Sequence, residues 1–137
     1  GLILGWTSVN NHIGLIPLIF YLGAIFWTLG YDTIYGFQDI KDDEIIGLKS
    51  TSIKFKKNPY IFLKICYSIF LLTFLFSGYL MELSKFYFIL FILIFLQMFY
   101  FQLRMLDVKN SLNCLKIFKS NNFLGLIMLI CILLGKI

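Results

Sequence analysis

The chain has 137 residues, of which 60% are hydrophobic and only 14% charged, and its mean hydropathy is +0.88. A soluble domain of this size is about 45–50% apolar and about 25% charged, because much of its surface stays in water. The formal net charge of +5 comes from lysines beside apolar runs rather than from a basic helix. This pattern argues against a nucleic-acid-binding protein and indicates an integral membrane protein.

Apolar stretches of about 20 residues predict transmembrane helices. The predicted fold class is therefore all-α: a polytopic transmembrane helix bundle with about four full spans, preceded by the tail of another. Asn121 and Asn122 are candidates for the N-cap of the last span. Since the chain starts without Met, we expect residues 1–137 to be the C-terminal portion of a single transmembrane domain. The predicted spans are about 13–36, 60–80, 86–104 and 121–137, with a polar loop at about 38–58.

Two segments, Asp39–Pro59 and Arg104–Ser120, contain most of the lysine and arginine. Two predicted spans separate them, so both segments should lie on the same face of the membrane. The connection near Met81–Lys85 has a single lysine, and residues 1–12 have neither lysine nor arginine. The positive-inside rule then predicts that the two lysine-rich segments face the cytoplasm, or the matrix in a mitochondrion.

Five of the seven acidic residues lie within Tyr31–Glu44, directly after the first span. If this segment continues the helix, Asp39 and Asp43 lie within about 20° of Asp32 and form one stripe. Like charges at this spacing repel, and the C-terminal end of a helix disfavours anions, so the stripe predicts a compensating cation. Oxygen-only ligands suit Mg²⁺, which also bridges to substrate phosphates. Gly47 is predicted to end the helix.

Cationic and hydroxyl side chains follow the acids in the sequence. Lys41, Lys49 and the hydroxyls that begin at Ser50 are suitably placed to contact phosphate oxygens. The alternative is an ordinary solvated loop in which the lysines balance the acids. That alternative does not explain Asp32, which lies at the membrane boundary, where an ionisable group indicates a functional site.

The segment Tyr31–Thr51, YDTIYGFQDIKDDEIIGLKST, closely resembles the second aspartate-rich motif of the UbiA superfamily of intramembrane prenyltransferases. The segments Gly5–Asn10 and Cys114–Leu126 also resemble parts of that family, so the resemblance covers nearly the whole chain. Within the superfamily the chain looks like the branch that serves ubiquinone biosynthesis. That branch transfers a polyprenyl group from polyprenyl diphosphate to a ring carbon of 4-hydroxybenzoate.

The resemblance implies an enzyme, an aromatic polyprenyltransferase with Mg²⁺ as cofactor, in the bacterial or mitochondrial inner membrane. It implies a nine-helix bundle of which this chain carries the C-terminal half. The family's first aspartate-rich motif is absent, so we expect the chain alone to be inactive and to need the N-terminal half of the same enzyme. The implied site residues are Asp39, Asp42 and Asp43 for the metal, Lys41, Lys49 and Ser50 for the diphosphate, and Asp32 and Tyr35 as catalytic residues near the acceptor.

Three other functions stay open from the sequence. A UbiA-type enzyme with another acceptor, such as naphthoate, homogentisate, haem or a chlorophyllide, would carry a similar motif. A transporter could line a cation path with the acids, but such a path should distribute acids over several spans, whereas Lys64 is the main ionisable residue within the later spans. A non-catalytic membrane subunit could use the acidic loop for docking.

Overall fold

A computed structural model describes residues 2–10 and 14–137, is 82% helical and contains no strand among those residues. The π-helical segment Leu96–Gln102 joins two helices into one continuous stretch, Lys85–Met105. The helices are α1 (Leu2–Asn10), α2 (Leu15–Gly36), α3 (Ile40–Ile46), α4 (Thr51–Lys54), α5 (Pro59–Leu80), α6 (Lys85–Phe95), α7 (Leu103–Met105) and α8 (Ser111–Gly135).

Four stretches are long and apolar enough to cross a membrane: α2, α5, Lys85–Met105 and α8. The predicted all-α polytopic bundle is therefore confirmed. The second and third stretches begin and end within one residue of the predicted bounds. The first ends at Gly36 as predicted, while its predicted start at residue 13 lies outside the described residues. The fourth differs, because α8 begins at Ser111 and not at residue 121.

The prediction that Asn121 starts the last span is wrong, because the real N-cap lies further upstream. The Asn110 side chain accepts a hydrogen bond from the Asn113 backbone N–H at 3.1 Å, as an N-cap residue does. In the turns that follow, exposed lysines alternate with buried residues such as Cys114, so the segment 111–120 is an amphipathic helix rather than a loop. Asn121 is buried in the middle of α8.

The predicted helix through Tyr31–Glu44 is also wrong, because α2 ends at Gly36 and α3 begins at Ile40. The intervening turn buries Phe37, which is 4% exposed. Asp39 leaves the helical region at φ −116° and ψ 18° and becomes the N-cap of α3. Aspartate favours such a position over a helix interior, since its side chain competes with the backbone for hydrogen bonds. The stripe of three acids on one helix is therefore not formed.

Glycines allow α2 to approach α5 closely. A Cβ atom at Gly23 would lie 2.2 Å from Thr73 Oγ1, and one at Gly30 would lie 2.6 Å from the Tyr67 ring. Small residues at such contacts are typical of membrane bundles, where van der Waals packing drives helix association. Most of α2 nevertheless stays accessible, because 17% of its most apolar 18 residues are buried, against 44% for α5.

A chain of hydrogen-bonded polar side chains, buried except for the half-buried Trp27, connects α2, α5, the π-helical segment and α8. The Tyr67 hydroxyl donates to Gln102 Oε1 at 2.5 Å, and Gln102 Nε2 donates to Asn121 Oδ1 at 3.1 Å. The Trp27 indole N–H donates to the same Asn121 oxygen at 3.0 Å. We call these four residues the interior network. Because their polar groups find partners inside the bundle, they can be buried in an apolar environment.

The two ends of the bundle are closed by different contacts. At one end, the Tyr60 hydroxyl donates to the Leu106 carbonyl at 3.0 Å, which brings the loop before α5 next to the loop before α8. At the other end, the Ser84 backbone N–H donates to the Gly135 carbonyl at 2.7 Å. The two lysine-rich segments therefore have their loops at the same end of the bundle, as the sequence predicts. That this end faces the cytoplasm or matrix stays a prediction.

Candidate functional site

A cavity of about 630 Å³ lies at the lysine-rich end of the bundle, between the turn that follows α2 and the loop that precedes α8. Its volume falls within the range of small-molecule sites. We call it the end cavity. It is lined by Phe37, Gln38, Asp39, Ile40, Lys41, Asp42, Val108, Lys109 and Ser111.

Two of the predicted metal ligands, Asp39 and Asp42, line the end cavity, and both are exposed. Asp39 is the N-cap of α3, and Asp42 and Asp43 lie in its first turn. Acidic residues at this end of a helix are favoured by the unpaired backbone N–H groups. The prediction that these acids repel one another at a helix C-terminus is therefore wrong, and their placement alone does not require a compensating cation.

The other two acids of α3 lie differently. Asp43 is half-buried, and among the described residues it is not part of the lining of the end cavity. Glu44 forms an ion pair with Lys56, which is the only ion pair among the described residues. Gly47 ends α3 in the left-handed conformation with φ 78°, so the predicted helix stop is confirmed. The acidic run is thus divided: some of its acids line the end cavity, and Glu44 forms an ion pair with the turn after α4.

The predicted diphosphate contacts are separated in space. Lys41 lines the end cavity, whereas Lys49 and Ser50 line a second cavity of about 380 Å³ that also contains Lys54. The Ser50 hydroxyl caps α4 by accepting a hydrogen bond from the Ile53 backbone N–H at 3.3 Å. Ser50 therefore has a local structural use, and its contact with diphosphate stays a prediction.

Asp32 lies away from the end cavity, on the sparsely packed face of α2. It lines a third cavity, of about 340 Å³, whose other lining residues come from the same helix: Tyr21, Ala24, Ile25, Thr28 and Leu29. We call these six residues the open face of α2. A carboxylate in a membrane span needs water or a partner, so this face is unsuited to contact with lipid alone.

Tyr35, the second predicted catalytic residue, lies near the end of α2 and is 44% exposed. Its ring contacts Phe118 of α8 with ring centroids 4.8 Å apart. The Tyr31 ring contacts Phe118 as well, at 5.8 Å. Tyr35 is thus held against α8 by aromatic packing while much of its ring stays accessible.

The donor set at the end cavity fits Mg²⁺. Among the described residues, no three His, Cys, Asp or Glu side chains are grouped closely enough to form a cage for a metal. Mg²⁺ does not require such a cage, because it keeps several waters and is usually held by one or two carboxylates plus substrate phosphates. Asp39 and Asp42 supply two carboxylates at one cavity, and neither forms an ion pair with any described residue.

Three polar residues that line the end cavity were not predicted as site residues: Gln38, Lys109 and Ser111. Gln38 Oε1 is enclosed and has no hydrogen-bond partner among the described residues. Lys109 and Ser111 come from the other end of the sequence, so the loop's position next to α3 could not be read from local pattern. The available signal was Lys109 itself, a cation in a short loop on the predicted lysine-rich face.

The comparisons with known proteins show the family of the chain. The model of the UbiA prenyltransferase family matches residues 1–129. The chain belongs to the UbiA prenyltransferase family. The predicted resemblance to this family is confirmed. No solved structure matches the chain.

Several curated members of the UbiA family match nearly all of the chain. The 4-hydroxybenzoate octaprenyltransferase of Polynucleobacter necessarius subsp. necessarius is 30% identical over 135 residues, which cover 98% of this chain and 47% of that protein. The mitochondrial 4-hydroxybenzoate polyprenyltransferase of Dictyostelium discoideum is 33% identical over 140 residues, covering 100% of this chain and 30% of that protein. The octaprenyltransferase of Providencia stuartii is 33% identical, with 96% and 46% covered. The chain spans less than half the length of these relatives.

Proposed function

We propose that the chain forms part of an enzyme that transfers a polyprenyl group from polyprenyl diphosphate to a ring carbon of 4-hydroxybenzoate. The observation that carries this proposal is the end cavity, where the carboxylates of Asp39 and Asp42 and the ammonium of Lys41 line one space in a UbiA-family chain. The relatives named as 4-hydroxybenzoate prenyltransferases favour this acceptor over the others. The rest of the site would come from the region of family members that the chain does not match.

In this proposal the end cavity binds the diphosphate. Asp39 and Asp42 would hold Mg²⁺, with Asp43 beside them in the first turn of α3. When bound, Mg²⁺ neutralises the negative charge that the leaving diphosphate develops as the allylic C–O bond ionises. Lys41 adds a point charge for the phosphate oxygens, since an ammonium makes strong charge-assisted hydrogen bonds to them.

The open face of α2 would contact the organic parts of the substrates. Its apolar residues suit a prenyl chain, and an apolar site keeps water away from the allylic cation. Asp32 would accept the proton from the acceptor, or orient its hydroxyl, as a carboxylate at the polar end of this face. Tyr35, one turn of helix further along, would line the same space with an aromatic ring that can stabilise a cation.

A complementation experiment tests this function. The chain is co-expressed in bacterial membranes with the part of the Polynucleobacter enzyme that it does not match; we call this pair the complemented enzyme. We expect it to transfer a polyprenyl group to radiolabelled 4-hydroxybenzoate in the presence of Mg²⁺, and we expect neither part to do so alone. Naphthoate and homogentisate are offered in parallel with the same polyprenyl diphosphate.

Each outcome bears on the proposal. Transfer to another acceptor only would contradict the choice of 4-hydroxybenzoate. No transfer at all, in membranes where the intact Polynucleobacter enzyme is active, would overturn the proposed function. Transfer by the chain alone would show instead that one aspartate-rich segment suffices.

A further inference from the structure

The end cavity has a cation that no predicted site contains. Lys109 lies on the loop between α7 and α8, far in sequence from the acids of α3, yet lines the same cavity as Asp39 and Asp42. We propose that Lys109 is a binding residue for the diphosphate of the prenyl donor, and that it contributes more to this binding than Lys49 does. The inference rests on the proposed prenyl-transfer function.

The loop that carries Lys109 is fixed by its own hydrogen bonds. The Asn113 side chain accepts from the Asp107 backbone N–H at 2.8 Å and donates to the Met105 carbonyl at 3.0 Å. Asn110 caps α8 through the Asn113 backbone N–H. A loop held at both ends presents Lys109 at the cavity with little backbone entropy left to lose on binding.

The ammonium group of Lys109 forms no ion pair with any described residue. Asp107, the acid nearest in sequence, accepts a hydrogen bond from the Lys109 backbone N–H at 3.0 Å through Oδ1. Neither Lys109 nor Lys41 forms an ion pair with any residue of the described ranges, although both line a cavity with two carboxylates. Two unpaired ammonium groups and two unpaired carboxylates around one cavity suit an anion that arrives with a divalent cation.

Lys49 lies in a different setting. The cavity that it lines contains Lys54 and hydroxyl residues but no carboxylate among its lining residues in the described structure. A diphosphate bound there would lack the two aspartates that fit Mg²⁺. Position relative to Asp39 and Asp42 therefore separates Lys109 from Lys49, although Lys49 belongs to the motif-like segment and Lys109 does not.

The first arm of the test measures kinetics in the complemented enzyme. We expect Lys109→Gln to raise the KM for polyprenyl diphosphate about tenfold, since a hydrogen bond to a charged group contributes enough free energy for such a change. Lys109→Arg should restore most of the affinity, and Lys49→Gln should have a smaller effect than Lys109→Gln. Lys57→Gln, which changes an exposed lysine in the turn before α5, is the matched control and should leave the KM unchanged.

The second arm measures binding without turnover. Cys66, Cys114 and Cys131 are 0% exposed, so a charged thiol reagent should react with a cysteine introduced by Lys109→Cys. Inorganic pyrophosphate with Mg²⁺ should slow this labelling about tenfold at ten times its Kd, because about one site in ten is then free. Labelling of Lys57→Cys should be indifferent to pyrophosphate.

The two arms separate the inference from the function on which it rests. An unsubstituted complemented enzyme that transfers no prenyl group counts against the proposed function. An active complemented enzyme in which Lys109→Gln behaves like Lys57→Gln, or in which Lys109→Cys is not protected, overturns the role of Lys109 alone.

Discussion

The interior network and the end cavity differ in whether their polar groups are paired with one another. In the network, the side-chain groups of Tyr67, Gln102, Asn121 and Trp27 hydrogen-bond to one another inside the bundle. In the end cavity, two carboxylates and two ammonium groups line one space without forming an ion pair with any described residue. Polar groups that pair internally stabilise a fold, whereas polar groups left unpaired at a cavity are available for a ligand.

Substitutions in the interior network and in the end cavity should therefore have different effects. A change in the network should reduce stability and leave the chemistry of folded molecules intact. A change in the end cavity should reduce turnover and leave stability nearly intact. Membrane proteins allow this separation to be measured, because the activity and the unfolding of the same purified enzyme can be followed in the same detergent.

The largest effect should come from the carboxylates of the end cavity. Asp42→Asn in the complemented enzyme keeps the shape of the side chain but removes an anionic ligand. We expect kcat/KM to fall at least about 100-fold, since metal stabilisation of a leaving group is worth several kcal/mol and each 1.36 kcal/mol is tenfold. The free energy of unfolding should change by less than about 1 kcal/mol, the size of a helix-terminus charge effect.

Glu44→Gln is the matched control for Asp42→Asn. Glu44 belongs to the same helix and the same acidic run, but it pairs with Lys56 and does not line the end cavity in the described structure. Prenyl transfer that survives Asp42→Asn would break the comparison, because the cavity would then have no chemical use for its unpaired carboxylate.

The sequence predicts the bundle well, and the reason is physical. The bilayer demands long apolar helices, so composition alone locates α2, α5 and Lys85–Met105. Composition does not locate the start of α8 at Ser111, because the amphipathic first turns of this helix have the average polarity of a loop. Composition also does not locate the end of α2 at Gly36, where the next residue, Phe37, is buried by tertiary contacts that no local rule contains.

The second effect, intermediate in size, concerns the interior network. Gln102→Leu removes the acceptor of the fully buried Tyr67 hydroxyl. An unsatisfied buried donor costs about 1–3 kcal/mol, and interhelical hydrogen bonds in membranes average about 0.6 kcal/mol, so we expect a loss of about 1–2 kcal/mol. SDS-induced unfolding of the complemented enzyme, followed by circular dichroism, measures it.

Gln97 supplies the control for Gln102→Leu, because it lies in the same π-helical segment and its side chain forms no hydrogen bond with any described residue. Gln97→Leu should leave stability unchanged or raise it slightly. A combined Gln102→Leu and Tyr67→Phe variant should recover part of the loss, since replacing both partners leaves no orphan. If Gln102→Leu instead abolished prenyl transfer in fully folded enzyme, the network would belong to the site and the comparison would not hold.

Much less of the site than of the bundle was predictable. Asp39, Asp42 and Lys41 are close in sequence, so a short motif already brings them together. Lys109 joins them only through the packing of α8 beside the turn after α2, which periodicity does not specify. Conversely, Lys49 and Ser50 are close to the acids in sequence but line another cavity, because α3 ends at Gly47 and the chain turns away.

The smallest effect should come from the ion pair between Glu44 and Lys56. Both side chains are substantially exposed, at 37% and 50%, so water and salt screen their attraction. Exposed ion pairs contribute about 0.2–1 kcal/mol to stability. We expect Glu44→Gln to reduce the free energy of unfolding by an amount at the low end of this range, and this reduction should vanish in high salt. A double-mutant cycle with Lys56→Gln, measured by SDS-induced unfolding at low and high ionic strength, isolates the contribution of the ion pair.

Prenyl transfer by the Glu44→Gln variant should be unchanged, because a carboxylate that already has a partner outside the end cavity is not available to bind a ligand there. A loss of activity as large as that of Asp42→Asn would show that the acidic run acts as one unit, and that pairing does not distinguish structural from functional charge in this bundle.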